Sequence, residues 1–462
     1  MKLPLSPPPL EQILPGALDN LSAILSQSPL VNGRYLHWDQ VRHRTPPKGL
    51  RHEAWWAGIK IARHGLLTTL PLQDKNGNPI QFGMPAPVLR ALHVIDSQAS
   101  GNVLMPNTLI SSEDRDRYLV SSRIEEAITS SQLEGAATTR EVAKEMLRSG
   151  RPPQDRNERM ILNNFYAMQR IRELREEPLT PALVLALHRI VTDGTLDNST
   201  AAGRLRNANE RISVMDATHT TVLHEPPPAK SLPARLKRLC EFANQREESE
   251  PFLHPVIRAI LLHFMLAYDH PFMDGNGRTA RALFYWSIAR AGYWLMEYIS
   301  ISSLIKQAPI QYGYAYLYTE TDNNDATYFI IHQVDVIQRA IVALYEYLGR
   351  KDAEQRSAEK LLRLAPRLAN ALNHRQTAIL SHALRHTGQD YTVASHRRSH
   401  LITLQTARTD LLQLVDLGLL QQYKRGRAFV FSAPQDLRRR IEKAAKKKTK
   451  PTKKKYHTRN KS

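Results

Sequence analysis

Val256, Ile260, Leu261, Phe264, Met265 and Tyr268 recur at helical spacing, and Pro271 forbids that helix from running on. A second helical pattern runs from Arg278 to about Ala291 and is closed by Gly292. Between them lies the loop His270-Pro-Phe-Met-Asp-Gly-Asn-Gly277. Helical patterning extends on both sides of this pair, from about Leu119 to about Gly349. The region is therefore expected to be mainly α. Its other punctuation agrees. Ser122-Arg-Ile-Glu125 is a capping-box pattern that predicts a helix start, with Gly135 as its stop. Thr138-Thr-Arg-Glu141 predicts a second start, and Gly150 a second stop.

The loop between the two helices is where chemistry is expected. Gly275-Asn276-Gly277 opens the second helix, and alternating glycines let a backbone turn its N–H groups into an anion-binding nest. The helix N-terminus adds unsatisfied N–H groups and a positive dipole end. Arg278 and Arg281 are three apart in the first turn and share a face. Two cations at a helix start are unfavourable unless an anion joins them, so the pattern points to a polyphosphate. Asp274 beside the nest suits Mg²⁺, which keeps water and phosphate oxygens as its other ligands. His270, four residues earlier, is placed to take a proton from a hydroxyl near neutral pH. GNGRTA also fits a loose dinucleotide fingerprint, but that reading needs a strand before the loop, and the preceding segment is helical. A P-loop motif is absent.

Composition narrows the rest. At 462 residues the chain exceeds one hydrophobic core and predicts at least two domains. One cysteine, Cys240, excludes an intrachain disulfide and a multi-cysteine metal site. There is no apolar run of membrane-spanning length and no signal-peptide pattern, so a cytoplasmic protein with no membrane partner is expected. The net charge is +20, and residues 436–462 hold thirteen Lys/Arg against Asp436 and Glu442, a net of +11. Such a tail attracts polyanions, above all nucleic acid, or simply keeps the chain soluble.

His270-Pro-Phe-Met-Asp-Gly-Asn-Gly-Arg-Thr-Ala-Arg281 resembles, without a departure, the signature H-x-F-x-[DE]-G-N-G-R-x-x-R of Fic-domain proteins. That resemblance covers about residues 119–349 and implies an α-helical core that transfers AMP from ATP to a protein hydroxyl. It implies His270 as base and Asp274 as Mg²⁺ ligand. It places Gly275, Asn276 and Gly277 on the phosphates, with Arg278 and Arg281 on the β and γ sides. Thr221, Val222 and Leu223 look like the family's flap, a small β-hairpin that docks the target as an added strand, and Gly203-Arg-Leu-Arg206 leads into it. Tyr312, Tyr314 and Tyr316, with Asn324–Thr327, resemble the adenine side. Ser130-Ser-Gln-Leu-Glu-Gly135 resembles the inhibitory motif, which would pair Glu134 with Arg281 and withhold that arginine from ATP.

Downstream, Leu404, Ala407, Leu411 and Leu414 form a helical stripe with Thr403 as N-cap candidate and Gly418 past its end. Strand-like alternation follows over Leu419–Lys424 and Arg427–Phe431. This order resembles a winged helix-turn-helix, which binds DNA or a protein; the basic tail favours DNA. The expected organisation is a helical accessory region at 1–118 and a Fic domain at 119–349 with an inhibitory helix at 122–135. A connector at 350–370, a winged helix at 371–433 and a disordered basic tail at 434–462 follow. The leading function is an autoinhibited adenylyltransferase acting on Ser, Thr or Tyr of another protein or of itself. The alternatives are a DNA-binding regulator whose core senses nucleotide, and an enzyme removing AMP from modified protein.

Overall fold

A computed structural model describes residues 1–16, 20–99, 112–216, 218, 220–245, 252–363, 372–385, 388–400, 402–425 and 428–446. The chain divides into two compact units, 1–344 and 345–462.

In the first unit, three short helical segments precede α1 (His52–His64), whose Trp55, Trp56 and Ile59 anchor a small apolar cluster with Trp38 and Val41. A two-stranded antiparallel hairpin follows, β1 (Leu67–Gln73) and β2 (Pro79–Gly83), then α2 (Ala86–Ala99). The accessory region is thus not purely helical, contrary to expectation. The hairpin's signal is Asn76-Gly77, with Gly77 at φ +91°, between two β-prone runs.

The helical core comprises α3 (Ser112–Leu133), α4 (Arg140–Ser149), α5 (Arg156–Glu173) and α6 (Pro181–Thr192). It continues through a second small hairpin, β3 (Val214–Met215) with β4 (Val222–His224), then α7 (Leu232–Ala243) and the central pair α8 (Pro255–Asp269) and α9 (Asn276–Arg290). It ends with α10 (Ile301–Gln307), α11 (Pro309–Thr321) and α12 (Thr327–Arg363). Nearly every residue of α8 and α9 is buried, which is why their apolar patterning runs all round rather than along one stripe.

Two helix starts differ from expectation. Helix α3 begins at Ser112, so the Ser122 capping pattern lies inside it. The charged run Glu113–Arg117 is no obstacle to helix and lets the coil extend back. For α4 the cap is Thr139, whose hydroxyl accepts from the Val142 N–H, while the Thr138 hydroxyl has no partner. The helix ends at Gly150 with φ +72°, as its position predicts.

Helix α12 continues to Arg363, so the charged stretch 350–360 read as a connector is helical; its Ala, Glu, Lys, Arg and Gln content suits helix. Residues 364–371 lie outside the described residues. The second unit contains α13 (His374–Arg385), β5 (Asp390–Tyr391), α14 (Val393–His400), α15 (Leu404–Asp416), β6 (Gln421–Arg425), β7 (Ala428–Ser432) and α16 (Leu437–Lys446). Its three strands pair antiparallel in the order β5-β7-β6. Thr403 caps α15 through the Thr406 N–H. Asp410 of α15 accepts from Asn373, Arg375 and His396, fastening the helices together. The start of the basic tail is not free. Leu437 and Ile441, one helical turn apart in α16, are buried in this unit's core with Leu380, Leu411 and Phe431. Residues 426–427 of the expected turn, and 447–462 of the tail, lie outside the described residues.

Candidate active site

Helix α8 ends abruptly because Pro271 cannot continue it, and His270 closes it in the left-handed conformation at φ +43°. That conformation is uncommon for a residue with a side chain and marks a position the surroundings hold in place. The ring is partly buried, and its Nδ1 faces the Ala267 carbonyl at 3.1 Å. A carbonyl only accepts, so Nδ1 carries the proton and Nε2 keeps a lone pair. Burial lowers the His270 pKa below the ordinary imidazole value, against smaller raising effects of the Ala267 carbonyl and Glu134. Burial thus favours the neutral form of the ring.

The loop after it folds tightly. Phe272 is fully buried and stacks on His188 at 3.7 Å between ring centroids. Asn276 closes the loop on itself: its Oδ1 accepts from the Phe272 N–H at 2.9 Å and its Nδ2 donates to the Phe272 carbonyl at 2.8 Å. Its side chain therefore holds the loop closed. Gly275 has φ +81°, and a Cβ there would lie 2.8 Å from the Thr192 methyl. Both reasons require glycine at that position.

The two arginines have different fates. Arg278 is fully buried; its Nη1 donates to the Val191 carbonyl at 3.0 Å, and its Nη2 lies 3.5 Å from Asp274 Oδ2. Its Nε has no partner. Arg281 is tied to the C-terminal end of α3. Nε donates to Ser130 Oγ at 2.8 Å, and Nη2 donates to the Ser130 carbonyl at 3.0 Å and to Glu134 Oε1 at 2.8 Å. Burial would raise the Glu134 pKa, but Arg281, helped by Arg278 and His270, outweighs it and holds the carboxyl below its usual range. The carboxylate also covers the nest, since a Cβ at Gly277 would run into it. Helix α3 is anchored in this position. Glu126 accepts from Tyr285, Ser300 and Ser302, and Ile124, Ala127 and Ile128 pack on Met146 and Ile161.

Asp274 stands at the rim with its side chain 42% exposed. No group of three or more metal-ligating side chains occurs among the described residues. A lone, half-exposed carboxylate next to a nest fits a Mg²⁺ held jointly with nucleotide phosphates and water, and does not fit a metal held by protein alone.

A cleft of about 250 Å³ opens over this constellation, bordered by Glu134, His270, Gly277, Arg281, Tyr312 and Tyr316. The β3–β4 hairpin forms its other wall through Val214 and Leu223, with Thr221 half-buried and Val222 40% exposed at the edge. Tyr314 is not brought to the cleft. On α11, residues 312, 313, 316, 317 and 320 share the cleft face, while Tyr314 stacks on Tyr318 four residues on, at 5.5 Å. Of the three tyrosines expected on the adenine side, Tyr312 and Tyr316 therefore line the cleft and Tyr314 does not.

Sequence reasoning missed three contributors. His188 accepts the Gly203 N–H at Nδ1 and donates from Nε2 to the Asp274 carbonyl, 86 residues away. His224 of the hairpin lies 2.7 Å from Glu320 of α11 and 2.7 Å from the Tyr268 carbonyl. Arg206 donates to the His270 carbonyl. Only the Gly203–Arg206 motif offered any signal for these.

Both the sequence and the fold have relatives. Residues 178–288 match the sequence profile of the Fic/DOC family. Over 70 residues the chain is 43% identical to proteins of Drosophila willistoni and Drosophila virilis, both named protein adenylyltransferase Fic. The match covers 15% of this chain and 14% of each relative, so the chain spans a small part of their length. A solved Fic family protein from Desulfovibrio desulfuricans G20 superposes with a TM-score of 0.50 at 17% identity, over 76% of this chain and 96% of that one. At that identity the likeness speaks for the fold.

Proposed function

Residues 178–288 of this chain form a Fic domain, and from that premise we propose that it transfers AMP from ATP to a Ser, Thr or Tyr hydroxyl of a protein, itself included. The observation that carries this reading is His270, whose Nδ1 is committed to the Ala267 carbonyl and which lines the same cleft as Gly277 and Arg281. His270 Nε2 takes the proton of the incoming hydroxyl. The hydroxyl oxygen then bonds to the α-phosphorus, the bond from that phosphorus to the α,β-bridging oxygen breaks, and pyrophosphate leaves. The N–H groups of Gly275, Asn276 and Gly277 hold the phosphates, with Arg278 and Arg281 neutralising charge on the leaving side. Asp274 would hold Mg²⁺, whose contribution when bound is to screen the phosphate charge. The hairpin edge at Thr221–Leu223 would receive the target as an added strand, and Tyr312 and Tyr316 would face the nucleotide.

Two contacts support a restrained site. Arg281 is held by Ser130 and Glu134, and the Glu134 carboxylate lies where a phosphate oxygen would approach Gly277. Autoinhibition by this helix end is part of the proposal. Incubation with ATP and Mg²⁺ followed by peptide mass spectrometry tests it: adenylylated hydroxyls support transfer, and their absence even after Glu134→Gly argues against it.

A second reading concerns the C-terminal unit, and one arrangement favours it. Helix α15 exposes Gln405, Arg408 and Thr409, and the β6–β7 ribbon carries exposed Lys424 and Arg425. Two helices and a ribbon in this order suit a winged helix that places α15 in a DNA groove. Retarded migration of duplex DNA at low salt, abolished by Arg408→Ala, would support it. No helix among the described residues is long and apolar enough to cross a membrane.

A further inference from the structure

Arg206 is buried, yet its side chain donates to carbonyls rather than to a carboxylate. Its Nε donates to the His270 carbonyl at 2.9 Å, and its Nη2 donates to the Pro227 carbonyl. Its backbone N–H donates to the Pro271 carbonyl at 2.9 Å. The nearby Asp269 carboxylate is taken by Arg235 at 2.6 Å. A desolvated guanidinium is costly, and here it is committed to carbonyls of two separate segments. One is the peptide of His270 itself, in its left-handed conformation at φ +43°. The other is the proline run Pro226–Pro228 that leaves the β3–β4 hairpin.

The short segment that carries Arg206 also grips the far end of the loop. The Gly203 N–H donates to His188 Nδ1 at 3.0 Å, which leaves His188 Nε2–H to donate to the Asp274 carbonyl at 2.9 Å. Residues 203–206 therefore brace the loop at 270–271 and at 274, and they tie it to the base of the hairpin.

We propose that Arg206 is a positioning residue that fixes the register between the hairpin presenting the target hydroxyl and the His270 that deprotonates it. Lysine could reach one of the two carbonyls but not both, since its single ammonium lacks the guanidinium fork. The effect falls on alignment rather than on nucleotide affinity, because Arg206 does not touch the nest. For its consequence on rate the inference rests on the adenylyl-transfer reading; its structural arm does not.

The test uses the full chain with Arg206→Met and Arg206→Lys. Self-modification with Mg²⁺-ATP is followed at varied ATP, beside a histidine-labelled NMR spectrum in which His270→Ala identifies the His270 ring signal. Misalignment of reacting groups by about 1 Å costs up to ~100-fold, so Arg206→Met is expected to lower the saturating rate by at least ~10-fold. The ATP concentration at half rate should move by less than ~3-fold, the signature of an interaction made only in the transition state. Arg206→Lys should fall between Met and wild type, and the His270 signal should shift in both. A folded Arg206→Met protein with a saturating rate within ~2-fold of wild type and an unmoved His270 signal would overturn the inference. If Arg206→Met does not fold, Arg206→Lys decides by the same two readouts. If wild type and Glu134→Gly both transfer nothing, the adenylyl-transfer reading has failed, and the His270 signal alone decides the positioning role.

Discussion

Replacing Glu134 with glycine removes the carboxylate from Arg281 while leaving the two bonds from Ser130 in place. The arginine stays oriented but is no longer neutralised, and the space over Gly277 is cleared. At 2.8 Å and an effective dielectric of ~20, the bare attraction is ~6 kcal/mol. Much of that is offset by the desolvation of both groups, so a charged hydrogen bond's net ~1.5–3 kcal/mol is the better measure. Expressed as productive ATP binding, this predicts a ~10- to 150-fold rise in AMP transfer. The assay is retention of label from α-labelled ATP on the protein, with and without Glu134→Gly, at subsaturating ATP. Combining Glu134→Gly with Arg281→Ala should abolish the gain. Leaving a buried guanidinium unpaired should also lower the melting temperature without nucleotide, with partial recovery on adding ATP. Equal transfer by wild type and Glu134→Gly would refute the reasoning.

Two further outcomes are expected. His37 and His188 are fully buried and each is lowered to about 4, chiefly by burial. Between pH 6.5 and 4 the unfolded chain binds more protons than the folded one, so stability is intact above 6.5 and is lost as pH falls, on the order of 2 kcal/mol per histidine by pH 5. Urea midpoints at pH 7 and pH 5 check this, and equal midpoints would contradict it. Deleting residues 447–462, which spares Leu437 and Ile441, should flatten the salt dependence of DNA binding by ~0.9 in the log–log slope for each phosphate the tail had neutralised. An unchanged slope would show that the tail does not touch DNA.

What the sequence disclosed follows from the range of each signal. The α8–loop–α9 unit is written in local terms, by a proline that ends one helix and glycines that open the next, so its backbone course was readable residue by residue. The pairing of Glu134 with Arg281 spans 147 residues and was reached through the resemblance, not through spacing. Arg206 and His188 act across 64 and 86 residues, and no local pattern announces such contacts. Strand β5 has two residues, too few for alternation to show. Tyr314 lies off the cleft lining because alternation of tyrosines does not follow the phase of α11. The β1–β2 hairpin did have a local signal in Asn76-Gly77, which the aromatic patterning of the region obscured.

The central claim is that His270 drives transfer of the α-phosphoryl side of ATP. It is tested most directly by incubating the Glu134→Gly protein, with and without His270→Ala, with ATP labelled at either the α- or the γ-phosphate. Retention of α-label but not γ-label, abolished by His270→Ala while ATP binding persists, is the predicted result. Retention of γ-label, or undiminished α-labelling by a folded His270→Ala protein, would contradict it.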